Sequence, residues 1–447
     1  MAVSVKSLKS GGRGIAKAVF RRLPGPVREL LWTRTPAERL RERRALRDSP
    51  QVIAELRRRL AEGPGPSVWL LPSQTWYSTH FQRPQQMARA LAAVGCPVVY
   101  GEPWTTQHIT SAQGQAETRF QGVKELSPRL HLVRWPPPHL RRLIAEAAPD
   151  VILMLWPTQA DLVPEESKSM VVYEMIDDHD LIQDADETFR ANHRKWVRDA
   201  DVMVATADDL IAQLKPLRPD VLLLPNAVVM EDWTKSAATG VPADLAAARK
   251  APVVVAYYGT IADWFDWGLW EGAARARRGW SFVLIGPPYD GRTDAVHARV
   301  SSHPNMHYLG PKPYQSLPTY VAHCDVMAIP FVLNSITHSC SPVKLFEHMA
   351  AGKPVVASPM REILKYRSVL FAETPEDFAE RIEAALRRRE DPAYRQILER
   401  EARENTWQGR AEALRHAIES ARAAQDGLPR RATSAAAQTP APERPAP

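Results

Sequence analysis

From Ser67 onward, short apolar runs alternate with amphipathic stretches, and this alternation most limits the folds open to the chain. Each run has the length and the Val, Ile and Leu content of a strand, and it is apolar throughout rather than at every second residue. Such strands, separated by helices, predict a parallel sheet covered on both faces. The first series of predicted strands comprises 67–73, 97–103, 130–135, 150–156, 170–176, 201–206 and 220–226.

The alternation restarts after residues 234–252, which carry no strand pattern and predict a linker. Two α/β domains therefore follow, as expected for 447 residues, more than one hydrophobic core usually holds. Ligands of parallel sheets bind beyond the carboxyl ends of the strands, so we expect the two sheets to face across a cleft. The second series of predicted strands comprises 252–259, 281–286, 306–310, 325–331, 354–358 and 369–373.

The predicted organisation has five parts. A basic extension precedes a Rossmann-like N-terminal domain, a linker, a Rossmann-like C-terminal domain whose last helix can pack back on the first, and a disordered Ala- and Pro-rich tail. Their boundaries are 1–65, 66–235, 236–251, 252–425 and 426–447.

Charge is distributed unevenly along the chain. Residues 1–60 hold 16 Lys and Arg against 5 Asp and Glu, a net charge of +11, whereas the whole chain carries +7. The remainder is mildly acidic, which disfavours a nucleic-acid-binding protein with a basic core. Residues 36–61 predict a mostly polar helix interrupted at Pro50. The extension fits either a solvated, partly ordered arm or a segment that binds an anionic membrane surface.

Several protein classes are disfavoured by what the sequence does not contain. No apolar run approaches the 18 residues of a membrane span, and no secretory signal is expected at the N-terminus. The cysteines, Cys96, Cys324 and Cys340, are odd in number and widely spaced, which fits buried thiols in a reducing cytosol. We expect a cytoplasmic protein, with peripheral attachment to the inner face of the plasma membrane as an extension of that expectation.

The loop and helix over 331–358 carry the strongest chemical signal. Ser341 and Pro342 predict a helix start, as N-cap and first helical residue, and free N–H groups at such a start bind anions. Lys344 lies on the first turn, where the helix dipole prefers an anion, so a bound phosphate would explain it. Glu347 follows at i+3, and an ordinary Lys–Glu pair on a helix is the alternative interpretation.

The run SPVKLFEHMAAGKPVVAS resembles the donor-nucleotide segment of retaining GT-B glycosyltransferases of the large family 4 group. The resemblance extends over about residues 66–425. It includes HFQRPQQMARALAAVGCPVVY, LLPNAVVMEDW, YYGTIADWFDWGLW and FVLIGP, which are similar to a bacterial branch of cell-wall and exopolysaccharide enzymes such as the teichuronic acid transferases. The implied architecture is GT-B, two Rossmann-like domains facing across a cleft.

The resemblance also implies roles in donor binding. Glu347 would contact the donor ribose, the amides around Ser341, Pro342 and Val343 would bind the diphosphate, and Lys344 would neutralise it. The family's Glu-x7-Glu pattern places its first Glu at Ser339, so the pattern is half present and the contact to the transferred sugar is left open.

A second departure from the family lies at YYGTIADWFDW. Many relatives have Gly-Arg followed by a Lys that neutralise the leaving diphosphate, whereas here Thr260 follows Gly259 and Asp263 comes next among the charged residues. These three residues follow a strand and are candidates for contact with the donor.

In the first domain, two loops after strands carry candidate residues. Trp76, Tyr77, His80 and Arg83 combine aromatic faces for stacking on a sugar with donors for hydroxyls or phosphate, and they are the predicted acceptor-binding set. Asp177 and Asp178 follow another strand, where a carboxylate could orient an acceptor hydroxyl or act as a base. Either Asp could equally cap a helix. The predicted catalytic residues are Asp177, Asp178, His80 and Lys344.

The expected function is transfer of a sugar from a nucleotide-diphosphate sugar, UDP- or GDP-linked, to a glycan or lipid-linked acceptor in surface polysaccharide synthesis. The family implies retention at the anomeric carbon and neither a metal nor another cofactor. The expected partners are the donor, the acceptor and an anionic membrane, and no nucleic acid. The alternative is a GT-B protein that binds nucleotide or glycan without catalysis, since Ser339 replaces a Glu. A GT-B epimerase has no motif in its favour.

Overall fold

The computed structural model describes residues 36–78, 81–103, 122–182, 185–234 and 240–426. The chain divides into two compact units, residues 1–52 and 53–447. The first unit is described only from Pro36, within helix α1 (Pro36–Leu60). The predicted interruption of this helix at Pro50 is wrong, because the backbone stays helical through that residue.

The first sheet of the second unit has eight strands in the order β3-β4-β2-β1-β5-β6-β7-β8. All pairs are parallel except β3 with β4. The strands are β1 (Val68–Leu71), β2 (Val98–Pro103), β3 (Gly122–Ser127), β4 (Leu130–Trp135), β5 (Val151–Met154), β6 (Met170–Met175), β7 (Val202–Ala205) and β8 (Val221–Leu223).

Every strand predicted for this sheet is present, and β3 is the strand that the apolar pattern missed. β3 lies at the sheet edge, and its side chains are half-buried or exposed, so it has no continuous apolar run. The helices that follow in this domain are α2 (Arg83–Ala93), α3 (Pro137–Ala147), α4 (Glu187–Asp199), α5 (Asp208–Leu214) and α6 (Met230–Thr234).

The second sheet has six parallel strands in the order β11-β10-β9-β12-β13-β14, and all six were predicted. They are β9 (Val254–Tyr258), β10 (Ser281–Ile285), β11 (Met306–Tyr308), β12 (Val326–Ile329), β13 (Val355–Ala357) and β14 (Val369–Phe371). The helices are α7 (Trp267–Ala276), α8 (Thr293–Ser301), α9 (Leu317–Ala322), α10 (Ser335–His338), α11 (Val343–Ala350), α12 (Pro375–Arg388), α13 (Pro392–Glu404) and α14 (Trp407–Asp426).

Two hydrophobic cores, one around each sheet, bury the apolar runs. From the linker segment, Leu245 and Ala248 are buried in the second core. Helix α14 returns to the first core, where Trp407 and Leu414 pack, and Arg415 donates to Val94 O at 2.8 Å. The C-terminal helix therefore ties the end of the second domain to the first.

Candidate functional site

A cleft of about 810 Å³ is lined by loops that follow strands of both sheets. The first sheet contributes residues after β1, β5, β6 and β8, and the second contributes residues after β9, β10 and β12, together with the start of α11. The carboxyl ends of the two parallel sheets thus meet at one cavity, where open α/β sheets bind their ligands.

Two glycines shape the second-domain wall of the cleft. Gly259 and Gly286 follow β9 and β10 with φ of +137° and +142°, which L side chains rarely adopt. A Cβ on Gly286 would lie 2.0 Å from Gly259 O, and a Cβ on Gly259 would lie 2.9 Å from Lys344 Nζ. The two loops are therefore packed directly on each other, and the Lys344 amine reaches the end of β9.

The Lys344 ammonium lies between two aromatic rings, 5.1 Å from the Tyr257 centroid and 4.9 Å from that of Phe331. Burial lowers the pKa of Lys344 to about 8, opposed by the nearby Cys340 and Glu347. Among the described residues no carboxylate forms a salt bridge with Nζ, so the ring faces are its favourable contacts. An anionic ligand would stabilise this charge.

Glu347 lies one turn along α11 and is 3% exposed. Its carboxylate accepts a hydrogen bond from the Tyr258 hydroxyl. Burial raises the pKa of Glu347 to about 7, opposed by that hydrogen bond and by Lys344. Glu347 and Lys344 both line the cleft, and both change charge close to neutral pH.

The start of α11 differs by one residue from the prediction. Pro342 is the N-cap, Val343 is the first helical residue, and no side chain caps the helix. The predicted capping by Ser341 is wrong, because its Oγ accepts from Asn226 N at 3.2 Å instead. Val343 and Lys344 of the first turn still line the cleft, and the first N–H groups of a helix have no carbonyl partner within it, whereas Leu345 N donates to Pro342 O at 3.1 Å.

The remaining donor-side candidates separate into two groups. Thr260 lines the cleft, and its carbonyl accepts from the Tyr257 hydroxyl at 2.7 Å. Ser339 is buried, donates to Ser335 O at 3.1 Å and lies outside the cleft lining, as does the exposed Asp263. The donor-binding roles predicted for these residues stay predictions.

The adjacent carboxylates after β6 point to different places. Asp177 lines the cleft, and although its side chain is exposed to the cleft space, the surrounding protein and Asp178 raise its pKa to about 6. Asp178 is buried, accepts from Gln213 Nε2 at 2.6 Å and does not line the cleft. Asp177 is therefore the carboxylate of this pair that can meet a ligand.

Tyr173 of β6, His179 and His193 form a buried polar cluster, and His179 lies two residues after Asp177 in the sequence. The Tyr173 hydroxyl lies 3.0 Å from Nδ1 of His179 and 2.8 Å from Nδ1 of His193, and the two nitrogens are 3.1 Å apart. Burial and the neighbouring His193 lower the pKa of His179 to about 3, so this ring is neutral at physiological pH. His179 also packs edge-on against Trp156, which lines the cleft.

The predicted acceptor set is divided by the structure. Trp76 packs edge-on against Tyr100, and the Tyr77 hydroxyl accepts from Lys124 Nζ at 2.9 Å; neither Trp76 nor Tyr77 lines the cleft. His80 lies outside the described residues. Arg83 does line the cleft.

The Arg83 guanidinium is held within the protein. It forms a two-pronged salt bridge with Glu174, with Nε and Nη2 at 2.9 and 3.0 Å from the carboxylate oxygens. Both side chains are buried, at 4% and 0% exposure. Contact of Arg83 with an acceptor stays a prediction, beside a structural role that the sequence did not indicate.

Several cleft residues were not singled out from the sequence. Phe81 from the first domain stacks on Tyr314 from the second, with ring centroids 5.2 Å apart. Trp156, Asn226 and Tyr258 also line the cleft. Trp156 and Tyr258 end or follow a strand, and Asn226 belongs to the LLPNAVV element, so position after a strand was the signal that could have found these three.

Residues 246–388 match the family of glycosyl transferases group 1. These residues include most of the second domain, which is thus similar to a group 1 glycosyltransferase domain. The match covers Gly259, Lys344 and Glu347, and it confirms that their motifs are those of a glycosyltransferase domain. Part of the chain, 165 residues or 35%, is 28% identical to the putative teichuronic acid biosynthesis glycosyltransferase TuaH of Bacillus subtilis (strain 168). The matched segment spans 40% of that relative's length.

Solved structures share the architecture of the group 1 domain together with the first domain. Sucrose-phosphate synthase from Thermosynechococcus elongatus has a TM-score of 0.54 at 16% identity, covering 80% of this chain and all of that one. The trehalose 6-phosphate synthase of Burkholderia multivorans has a TM-score of 0.58 at 13% identity, covering 80% of this chain and 99% of that one. Anabaena HepE in complex with UDP-glucose has a TM-score of 0.53 at 13% identity, covering 81% of this chain and all of that one. The predicted GT-B fold is confirmed.

Two features are absent from the described residues. No helix among them is long and apolar enough to cross a membrane. Within the same ranges, no three or more His, Cys, Asp or Glu side chains are grouped so that they could hold a metal ion.

Proposed function

We propose that the protein is a glycosyltransferase that moves a sugar from a nucleotide-diphosphate sugar to a glycan or lipid-linked acceptor. The observation that carries the proposal is the pairing of Lys344 and Glu347 on the first turns of α11, inside the group 1 domain and on the wall of the cleft. The complexes of HepE with UDP and with UDP-glucose support a nucleotide-sugar donor. The donor of this protein would be linked to UDP or GDP.

The donor would bind through three features of the second domain. The N–H groups at the start of α11 would hold the diphosphate, and the dipole of the helix favours that charge. Lys344 would neutralise the leaving diphosphate, since its ammonium has ring faces but no carboxylate as described partners. Glu347, already oriented by Tyr258, would accept hydrogen bonds from the ribose hydroxyls.

The acceptor would bind against the first-domain wall. Trp156 offers an aromatic surface for a sugar ring, and Asp177 offers a carboxylate for the acceptor hydroxyl. With a pKa of about 6, Asp177 is ionised at neutral pH and can orient that hydroxyl or take its proton. Enclosure between the two domains would exclude water, so that transfer is favoured over hydrolysis.

The reaction would retain the anomeric configuration and proceed without a metal or another cofactor, as the family resemblance implies. The pathway would be that of a surface polysaccharide, which the similarity to a teichuronic acid enzyme supports. We also propose a cytoplasmic enzyme, recruited to the membrane through its basic residues 1–60.

A catalytically inactive nucleotide- or glycan-binding protein is the second candidate. It is favoured by Ser339, which stands where the family has the first Glu of its pair and whose hydroxyl is turned to Ser335 O. In that case the donor side of the cleft would bind a ligand without transferring its sugar.

A donor screen tests the two candidates. Purified protein is incubated with UDP-, GDP- and dTDP-sugars, with and without lipid extract, and sugar transfer and nucleotide release are measured. Turnover that is lost in Glu347→Ala supports the glycosyltransferase, and full activity in that variant contradicts the donor site. Binding without turnover for every donor and acceptor favours the inactive protein.

Membrane recruitment has its own test. Removal of residues 1–35 should lower binding to liposomes containing anionic lipid and leave binding to neutral liposomes unchanged. The variant keeps Leu56 and Leu60, which are buried in the folded unit. Equal binding of both proteins to anionic liposomes would reject this role for residues 1–35.

A further inference from the structure

Asn226 makes two hydrogen bonds to Ser341, just before α11 in the second domain, and one to Arg83 in its own domain. Its backbone N–H donates to Ser341 Oγ at 3.2 Å, and its side-chain Nδ2 donates to Ser341 O at 2.6 Å. Its Oδ1 accepts from Arg83 Nη1 at 3.2 Å. Asn226 follows β8 in the first domain, whereas Ser341 lies two residues before α11 in the second.

The far end of this connection is fixed by a buried ion pair. Arg83 is the first residue of α2, and its other donors are held by Glu174 of β6. The guanidinium also lies over the ring of Trp407, 5.6 Å from the centroid. Buried, charge-assisted hydrogen bonds of this kind have well-defined geometry, so the orientation of the Asn226 amide is set by the first-domain core.

At the other end of the connection, no side chain of the second domain caps the start of α11. Helix α11 has no side-chain cap, and the Ser341 hydroxyl that could have served accepts from Asn226 instead. Because the proposed diphosphate site consists of the N–H groups in this first turn, its geometry depends on what holds Ser341. The hydrogen bonds to Ser341 come from Asn226 of the first domain.

We infer that Asn226 is a positioning residue for the donor site, which couples the arrangement of the two domains to the diphosphate-binding start of α11. The inference rests on the proposed function. It means that the donor site is completed by the first domain, although the residues that would touch the donor diphosphate belong to the second. Displacement of the first domain would loosen the helix start and lower donor affinity.

The test uses Asn226→Asp, which keeps the oxygen that accepts from Arg83 but replaces the N–H donor by an oxygen facing Ser341 O. Asn405→Asp is a matched control, because Asn405 also accepts from an arginine, Arg410, and donates through Nδ2 to a backbone carbonyl, Glu401 O, at 2.8 Å. Asn405 does not line the cleft.

Calorimetry on the full chain measures binding of UDP, GDP and ADP, and thermal unfolding of each variant is followed in parallel. We expect Asn226→Asp to weaken the best nucleotide by about tenfold and Asn405→Asp to change it by less than about twofold. Both variants should lose a similar, small amount of thermal stability. Ser341→Ala, which removes one of the two acceptors, should give an intermediate loss of affinity.

The outcomes separate the inference from the proposed function. Equal nucleotide affinity in the Asn226→Asp and Asn405→Asp variants would overturn the positioning role and leave the donor site intact. A wild-type protein that binds none of the nucleotides would overturn the donor site, and the positioning role with it. Selective weakening in the Asn226→Asp variant, together with the loss of affinity in Ser341→Ala, which adds no charge to the cleft, supports both.

Discussion

Donor binding should depend on pH in a bell shape set by Glu347 and Lys344. The carboxylate must be ionised to accept from the ribose, so affinity falls as pH drops through the pKa of Glu347, about 7. The ammonium must be protonated to meet the diphosphate, so affinity falls as pH rises through the pKa of Lys344, about 8. Both limbs should therefore appear within an accessible pH range.

The size of the effect follows from the two pKa values. At pH 7.5 about 0.6 of the molecules carry both required charges, and at pH 6 or pH 9 this fraction falls to about 0.1. Affinity should accordingly drop about sixfold on either side of its maximum. A nucleotide-diphosphate sugar is the ligand of choice, because its diphosphate does not titrate in this interval.

The assay is calorimetric titration at pH 6, 7.5 and 9, with one variant for each limb. Glu347→Gln should lower affinity and abolish the acid limb, whereas Lys344→Met should abolish the alkaline limb. Asp177→Asn is the control. The Asp177 carboxyl also has a pKa of about 6, but it lies on the first-domain wall of the cleft, opposite Glu347 and Lys344. Constant affinity from pH 6 to pH 9, or an acid limb retained in Glu347→Gln, would refute the reasoning.

Glu347→Gln should weaken donor binding but should not lower the free energy of unfolding at pH 8. A carboxyl whose pKa is raised by folding contributes stability at low pH, and that contribution is lost as pH rises from 4.5 to about 7. At pH 8 the wild type thus carries the cost of a buried charge that the variant lacks. The variant should unfold at the same temperature or a higher one at this pH, and a large loss would mean that its weak binding reflects misfolding.

Three further predictions concern the framework of the cleft. Gly259→Ala should cost about 1–2 kcal/mol of unfolding free energy and weaken donor binding, because φ is +137° and the new Cβ would meet the Lys344 side chain. Glu174→Leu should cost about 3–5 kcal/mol in denaturant unfolding, since it leaves the Arg83 charge buried and unpaired. His179 has its pKa lowered to about 3, so wild-type stability should fall by up to about 1.4 kcal/mol per pH unit as pH drops below 6.5, and His179→Gln should flatten this slope.

Each of these has a matched comparison. Gly279→Ala should be neutral, because its added Cβ would contact nothing within 4 Å and its backbone needs no positive φ. The double variant Glu174→Leu with Arg83→Leu should recover much of the stability lost in the single one, and no recovery would argue against an unpaired charge as the cause. An unchanged acid slope in His179→Gln would mean that other groups control acid unfolding.

Much of the fold could be predicted because parallel strands buried on both faces leave a continuous apolar pattern in the sequence. β3 escaped prediction because it is a half-exposed edge strand without such a run. The helix at 343–350 was predicted one residue early, since the Ser341 hydroxyl is used by Asn226 rather than by its own helix. Local preferences place a helix start only when no distant residue competes for the capping group.

Lys344 and Glu347 were identified from a local motif, and their spacing on one helix already brings both to the same cleft wall. Asp177 and Asp178 could not be told apart in the same way. Adjacent carboxylates after a strand are equivalent in the sequence, and it is Gln213 on another helix that takes Asp178 away from the cleft. Trp76 and Arg83 likewise have partners that are remote in sequence, Tyr100 and Glu174.

The sequence by itself determined two parallel-sheet domains and, to within one residue, the start of the helix that carries Lys344 and Glu347, because these depend on periodicity and on residues within one turn of each other. The tertiary structure alone decided which polar side chains face the cleft and which are held inside the protein. Which side chains are held inside the protein depends on long-range hydrogen bonds, such as those from Asn226 to Ser341 and from Arg83 to Glu174. Such bonds join residues more than 90 positions apart, and no local pattern records them.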